Sequence, residues 1–562
     1  MRRDIYRKCV STVMNTPIES LYGNILHLVA PTGAGKTLTG LSCALKLRSI
    51  IYRKYGYLPR IIYSLPLINV IEQNYEVFKK VLSSLPDFCG GCESQYLIAH
   101  HHLSRISYRC GEEVPLDEAL LLIESWESEI VVTTFVQLLH TIIGYKNSFL
   151  KKFHNLVGAI LILDEVQGIP VEQWELLRRV LRGLMRYLGC TVIFMTATSP
   201  LIFGEKEGIF LVPDYKEYFS SLNRVVVHSR VDREMCKEDL VDIVMECWRG
   251  RRSLAVVLNT ISDSIDIYTM LKRRLWESGD ECWAMREFSG EKVADAKAVI
   301  VYLSTNITPL QRRERVEAVK GILESDRGQK VLVVSTQVIE AGVDLDFDVV
   351  IRDIGPVDSI VQVCGRCNRS GLRRSGEVYV VRLAHTKASC VYGGAHILVS
   401  RRLLESEMLQ EADFLRIVRG YFEGVEKRIS NVEATGIFDA MCELHFGSAS
   451  WQGVSGYKLI VGGRDVSIFV AFSEEDLDIL DFFRSKVLRG QDFQERRRNY
   501  LEIRRDFKDR VITVLYRRAI QNLPPRIDDL SDYRWIQAYD ETNPFYDMET
   551  GFKWRGEDVW IV

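Results

Sequence analysis

VAPTGAGKT, from Val29 to Thr37, decides how this chain is read. It follows the apolar run Ile25 to Val29, interrupted only by His27, which predicts a short buried strand, and it precedes Leu38 to Leu47, which predicts a helix. Glycines at 33 and 35 let backbone N–H groups turn inward around an anion, and the following helix offers its positive dipole end to the same point. Pro31, Thr32, Gly33, Ala34, Gly35, Lys36 and Thr37 are therefore the candidate phosphate cradle for a nucleotide such as ATP. Lys36 would reach the β- and γ-phosphates, and the Thr37 hydroxyl would bind Mg²⁺. Ala30 stands where this pattern usually opens with glycine. A glycine turn that merely happens to precede Lys-Thr is the competing reading, and the flanking strand and helix weigh against it.

At 562 residues the chain exceeds what one hydrophobic core supports, and three or four domains are expected. Its 47% hydrophobic and 26% charged composition is that of an ordinary globular protein. A net charge of −2 gives no overall attraction to nucleic acid, so such binding would need local basic surfaces. No apolar run is long enough to cross a bilayer and MRRDIYRKCV lacks a signal-peptide core, so a soluble, cytoplasmic protein is expected, with no membrane partner. The 13 scattered cysteines do not resemble a disulfide framework. Cys89, Cys92, His100, His101, His102 and Cys110 could in principle offer four zinc ligands, but their spacing matches no common zinc module. A polar loop with a histidine cluster is the preferred reading there, and Cys364-x-x-Cys367 reads as coincidental.

A second strand–helix unit follows the first, with Ile61 to Leu65 extended and Asn69 to Phe78 helical. Glu112 to Glu129 has helical periodicity, and Ile130 to Val132 predicts a strand with Thr133 and Thr134 at its carboxyl end. Ligands gather beyond strand carboxyl ends in parallel sheets, although threonines are also common there for structural reasons. Leu156 to Leu163 is almost wholly apolar, as a central strand covered on both faces must be. Asp164-Glu165-Val166-Gln167 ends it. Asp164 suits the nucleotide Mg²⁺ and Glu165 the attacking water, against the alternative of a structural acidic pair. Trp174 to Leu188 predicts an amphipathic helix, and Thr191 to Met195 a strand leading into Thr196-Ala197-Thr198-Ser199-Pro200, whose hydroxyls can couple the nucleotide site to a neighbouring domain. The first domain is expected to span residues 1–215.

A second α/β pattern is expected over 216–385, with strands at 225–227, 254–258, 298–303, 331–334, 349–351 and 378–381. It has no phosphate glycines of its own. It carries Ser335-Thr336-Gln337, Ala341-Gly342-Val343-Asp344 and QVCGRCNRSG from Gln362 to Gly371. Arg366 and Arg369 suggest arginine fingers offered to a nucleotide held by the first domain, a device worth roughly 10³ to 10⁵ in rate. Residues 386–472 are expected to be a linker region and 473–562 a C-terminal accessory domain. Ser400 to Tyr421 predicts a helix, Lys458 to Phe472 paired short strands, and Ser473 to Asp509 an arginine-rich helix. Equal numbers of acids near those arginines favour a solvated face over a nucleic-acid surface.

APTGAGKT, DEVQ, TATSP, STQVIEAGVD and QVCGRCNR, in that order, resemble a superfamily 2 helicase over roughly residues 24–385. With SLPLINVIEQN at 64–74, LLLIESWESEIVVTTFVQLL at 120–139, YLSTNITPLQRRER at 302–315 and YDMETGF at 546–552, the chain resembles the CRISPR-associated helicases of type I systems. The resemblance implies an α/β architecture of two tandem RecA-like parallel-sheet domains plus a C-terminal accessory domain. It implies ATP- and Mg²⁺-dependent movement along single-stranded DNA, generally 3′ to 5′, in company with a crRNA-guided surveillance complex. By motif matching, Lys36, Asp164, Glu165, Gln362, Arg366 and Arg369 would be catalytic, and Gly342 and Asp344 would help to bind nucleotide. Gln167, Thr196 and Thr198 would couple hydrolysis to movement, and Thr133, Thr134 and Thr336 would meet the strand's backbone. Many relatives begin with a histidine-aspartate nuclease domain, whereas this chain opens on the helicase and contains no His-Asp dipeptide, which implies a nuclease on a separate polypeptide. Two other functions stay open: an RNA helicase of the same superfamily, and an adaptor that binds ATP without moving. Intact Lys36, Asp164, Glu165, Arg366 and Arg369 weigh against the adaptor.

Overall fold

Short apolar strands separated by helices can bury themselves only as parallel sheets covered on both faces. The computed structural model contains two such sheets, the arrangement of two RecA-like domains followed by a C-terminal region. It describes residues 1–554 except 67, 87, 102–103, 105–107, 111, 198–201, 280–281, 286–295, 326–327, 341, 385–386, 448–452, 460–462 and 541. The chain folds as two compact units, one of residues 1–222 with 411–461 and one of 223–410 with 462–562. The 386–472 stretch, read from sequence as a linker region, is thus shared between them.

In the first unit seven parallel strands lie in the order 97–100, 130–134, 61–65, 160–164, 191–196, 25–29, 209–210. All residues of Ile25–Val29, Ile61–Leu65 and Ile160–Asp164 are buried. Their register brings Val29 beside Thr196, and Asp164 beside Met195, at one end of the sheet. Helix Lys36–Tyr55 lies close on this sheet, since a Cβ on Gly40 would come within 2.2 Å of the Met195 sulfur. Helix Arg2–Asn15 buries Ile5, Cys9 and Val13 in the same core.

The second unit has eight strands in the order 282–284, 298–303, 330–335, 253–257, 349–353, 376–383, 225–235, 408–410, all parallel except the last. A smaller sheet follows, in which Asp465–Ala471 pairs antiparallel with Val511–Leu515 and parallel with Arg534–Gln537. The terminal hairpin of Tyr546–Asp547 with Gly551–Phe552 is bolted to the larger sheet's flank. Arg315, fully buried, donates to the carbonyls of Tyr302 at 2.7 Å, Glu549 at 2.7 Å and Met548 at 2.6 Å. Lys272 and Tyr268 close on the Glu549 carboxylate at 2.7 and 3.0 Å.

Several expected elements differ. The helix expected over 112–129 covers only Leu116–Ser125, because Pro115 precedes its first turn and Trp126 leaves it in the left-handed region at φ 61°. The helix expected over 400–421 is broken: Gly394–Leu403 ends, Met408–Gln410 pairs with the 226–228 edge, and Phe414–Glu426 begins anew. No hairpin is described within 458–472; Asp465–Ala471 finds both partners more than 40 residues downstream. The expected 473–509 helix divides at Gly490, after which Asp492 caps Phe493–Asp509 by accepting from the Glu495 N–H at 2.7 Å. No helix among the described residues is long and apolar enough to cross a membrane.

Candidate functional site

The phosphate loop is built by two left-handed glycines. Gly33 at φ 77° and Gly35 at φ 81° turn the chain between strand Ile25–Val29 and helix Lys36–Tyr55, a conformation that L side chains adopt only with strain. Lys36 is buried and its ammonium donates to the carbonyls of Ala30 at 3.2 Å and Pro31 at 3.3 Å. The loop also closes on itself through the Ala34 N–H to the Pro31 carbonyl at 3.2 Å. From the helix at the start of the chain, Arg2 donates to the Gly33 carbonyl at 2.7 Å.

Beside this loop stand the acids. Asp164 is 4% exposed, and both its oxygens are engaged: Oδ1 accepts the Glu165 N–H at 2.9 Å and Oδ2 the Tyr63 hydroxyl at 2.6 Å. Burial pushes the Asp164 carboxyl up to about 7, helped by the charge of Glu165 and opposed by the Tyr63 hydrogen bond and Lys36. Glu165 takes φ 54°, an uncommon geometry for a residue with a side chain, which turns it out of the strand line. Gln167 donates to the Glu165 carboxylate and accepts from the Thr196 hydroxyl at 2.8 Å. Thr196 in turn accepts the Ala30 N–H on its carbonyl at 3.2 Å, so that the glycine loop, the acidic turn and the Thr196 strand end form one connected network. Thr198 lies outside the described residues.

Tyr63 escaped the sequence reading. It is fully buried, its ring stands edge-on to Phe78 at 5.0 Å, and Thr37 is a second side-chain partner of its hydroxyl. Burial, then the Asp164 charge, holds its phenol well above the usual range, so it is a donor and not a phenolate. A polar-tipped aromatic inside the short, mostly aliphatic strand Ile61–Leu65 was the available signal. Thr37 and Asp164 converge on this one oxygen, and their hydroxyl and carboxylate are the hard oxygen donors that Mg²⁺ takes.

At the neighbouring strand ends, the Thr133 hydroxyl donates to the His100 carbonyl at 2.8 Å, and Thr134 caps helix Phe135–Ile143 by accepting the Gln137 N–H at 3.1 Å. Both hydroxyls serve the fold. His100 Nδ1 accepts the Trp126 indole N–H at 2.7 Å and His101 faces Glu72 at 3.0 Å. His102 and the side chains of Cys89 and Cys110 lie outside the described residues, among which no group of three or more His, Cys, Asp or Glu side chains is arranged to hold a metal.

In the second unit, Thr336 is buried and its N–H donates to the Leu303 carbonyl at 3.0 Å. Arg366 rests on the turn after it, donating to the carbonyls of Ile339 at 3.2 Å and Glu340 at 2.9 Å. The Glu340 side chain is itself anchored by fully buried Arg352 at 2.9 Å, which also donates to Asn259 at 2.6 Å and Tyr392 at 3.0 Å. Arg369 pairs with Asp344 at 3.2 Å, Gly342 turns at φ 77°, and Gln362 is half-buried on helix Val357–Cys364. Cys364 and Cys367 are both buried with free thiols. Arg352 was not singled out from sequence, since it lies just past the apolar strand expected over 349–351.

Two family models match the chain. Residues 11–202 match the DEAD/DEAH box helicase family, and residues 250–372 match the C-terminal family of the CRISPR-associated nuclease/helicase Cas3. Among curated proteins, the CRISPR-associated nuclease/helicase Cas3 of Haloferax volcanii is 27% identical over 94% of this chain and 66% of its own length. That of Methanothermobacter thermautotrophicus is 25% identical over 72% of this chain and 46% of its own. The chain thus spans less than two thirds of the curated relatives it matches. A crystal structure of T. fusca Cas3-AMPPNP, 15% identical, superposes with a TM-score of 0.69 over 97% of this chain and 70% of that one. A chain from a CRISPR RNA-guided surveillance complex in a pre-nicking state, 16% identical, gives 0.58 over 97% and 70%. These likenesses show the fold.

Proposed function

We propose, from the premise that this chain belongs to the Cas3-type CRISPR-associated helicases, that it is an ATP-driven motor on single-stranded DNA in a type I interference system. The observation that carries the reading is the single network in which Lys36, Thr37, Asp164, Glu165, Gln167 and Thr196 stand together at the carboxyl ends of three adjacent strands, joined by Tyr63 from a fourth. A binding-only adaptor has no need of the second acid or of its link to Thr196.

ATP would displace the two backbone carbonyls from Lys36, whose ammonium then serves the β- and γ-phosphates, while Pro31, Thr32, Gly33, Ala34 and Gly35 supply the loop around them. Thr37 and Asp164 would hold Mg²⁺, which when bound offsets phosphate charge. Glu165 accepts a proton from the attacking water and aims it in line with the leaving group. As products form, the load on Glu165 changes, and Gln167 passes that change to Thr196. In this reading Thr198 shares the coupling. By motif, Gln362, Arg366 and Arg369 would stabilise the charge of the transferring phosphoryl group, with Gly342 and Asp344 completing nucleotide recognition. The strand ends at Thr133, Thr134 and Thr336 meet the DNA backbone. The curated relatives are named as nuclease/helicases. In this proposal cutting falls to a separate nuclease chain, in the cytoplasm with a crRNA-guided surveillance complex.

Steady-state ATP hydrolysis measured alone, with single-stranded DNA and with matched single-stranded RNA, tests this, with Glu165→Gln as the blank. Strong stimulation by DNA that is lost in the variant is expected. Equal stimulation by RNA would favour an RNA helicase, and no hydrolysis under any condition would favour the adaptor.

A further inference from the structure

We propose that Tyr63 is a positioning residue for the divalent-cation site, holding the hydroxyl of Thr37 and the carboxylate of Asp164 in register through one shared phenol oxygen. The inference rests on the reading of Thr37 and Asp164 as metal ligands. Three observations carry it. The Tyr63 hydroxyl donates to Asp164 Oδ2 at 2.6 Å, and Thr37 is its other side-chain partner. The ring cannot drift, because it is fully buried and wedged edge-on against Phe78 at 5.0 Å. The second Asp164 oxygen is fixed independently by the Glu165 N–H at 2.9 Å, so rotation of the carboxylate is blocked at both ends.

A carboxylate has about four lone-pair positions, and two accepted hydrogen bonds leave capacity on each oxygen for a cation. Tyr63 therefore orients Asp164 without occupying it. The hydroxyl lies on strand Ile61–Leu65, next to strand Ile160–Asp164, so a cation site split between the glycine loop and the acidic turn is braced by a third element. Partners that orient metal-binding carboxylates commonly matter by ten- to a hundredfold in affinity or activity. Lost packing would produce a different signature, a general fall in stability with the metal dependence unchanged.

Tyr63→Phe in the full chain separates the two, since it keeps the ring and deletes only the donor. Mn²⁺ serves as probe, its binding in the presence of ADP followed by loss of the free-ion spin-resonance signal. The expected result is about a tenfold weaker Mn²⁺ half-saturation, unchanged ADP binding without metal, and a melting temperature without metal close to that of the parent. ATP hydrolysis should fall at low Mg²⁺ and recover toward the parent kcat at high Mg²⁺, with the Mg²⁺ half-saturation raised by the same factor. Asp164→Asn and Lys36→Ala accompany it. If Asp164→Asn weakens Mn²⁺ and Tyr63→Phe does not, the positioning role is overturned while the site stands. If neither Asp164→Asn nor Lys36→Ala changes metal or nucleotide binding, the reading of the site fails and takes this inference with it.

Discussion

Lys152 shows how much a single buried charge can reveal. It is 1% exposed, donates to the Ser148 carbonyl at 2.9 Å, and sits over the rings of Phe149 at 5.1 Å and Trp126 at 5.5 Å, with no carboxylate within ion-pair reach among the described residues. Burial lowers its ammonium from 10.5 to about 8. Between those values the unfolded chain carries the proton and the folded chain does not, so stability rises with pH from about 8 to 10. Lys152→Met should abolish that rise, which is worth up to about 3 kcal/mol, and thermal melting across this range in both proteins checks it. The residues of the candidate site differ in legibility for a related reason. Lys36, Asp164 and Gln167 were readable because they stand in short local motifs, whereas Tyr63 and Arg352 act through partners more than 90 residues away or on neighbouring strands, which spacing alone cannot show.

At the scale of elements, Thr134 tests a division of labour. Its hydroxyl caps helix Phe135–Ile143, so Thr134→Ala should cost about 1 kcal/mol in urea unfolding, with a smaller effect on strand binding. Loss of DNA affinity without loss of stability would instead make the hydroxyl a direct contact. The terminal hairpin depends on Arg315 in the same way. Arg315→Met leaves three backbone carbonyls without their donor and should destabilise the second unit by about 3 kcal/mol, with faster amide exchange over 546–552. Strands buried on both faces, such as 61–65 and 298–303, were legible to the residue because nothing but a covered strand fits so short an apolar run. Helix limits were less so. Gly490 and Asp492 are an ordinary stop and start that the arginine pattern obscured, and strand 465–471 has partners too distant for any local pattern.

For the molecule as a whole, two parallel-sheet units were legible from the order of motifs. The composition of each unit was not, since 411–461 joins the first and 462–562 the second, a choice made by packing and not by chain order. A phosphate-tracking motor must lose grip as salt rises. If five phosphates are neutralised, affinity for single-stranded DNA should fall by about a hundredfold between 50 and 200 mM salt, measured by fluorescence anisotropy. A level response would exclude a backbone-following groove. If hydrolysis moves the protein along DNA, it must also displace a paired strand. The substrate is a duplex with a single-stranded 3′ tail, incubated with ATP, with AMPPNP, or with ATP and Glu165→Gln. Release of the strand is expected with ATP alone; release that is equal with AMPPNP or in the Glu165→Gln variant, or no release while ATP is being hydrolysed, would overturn the motor function.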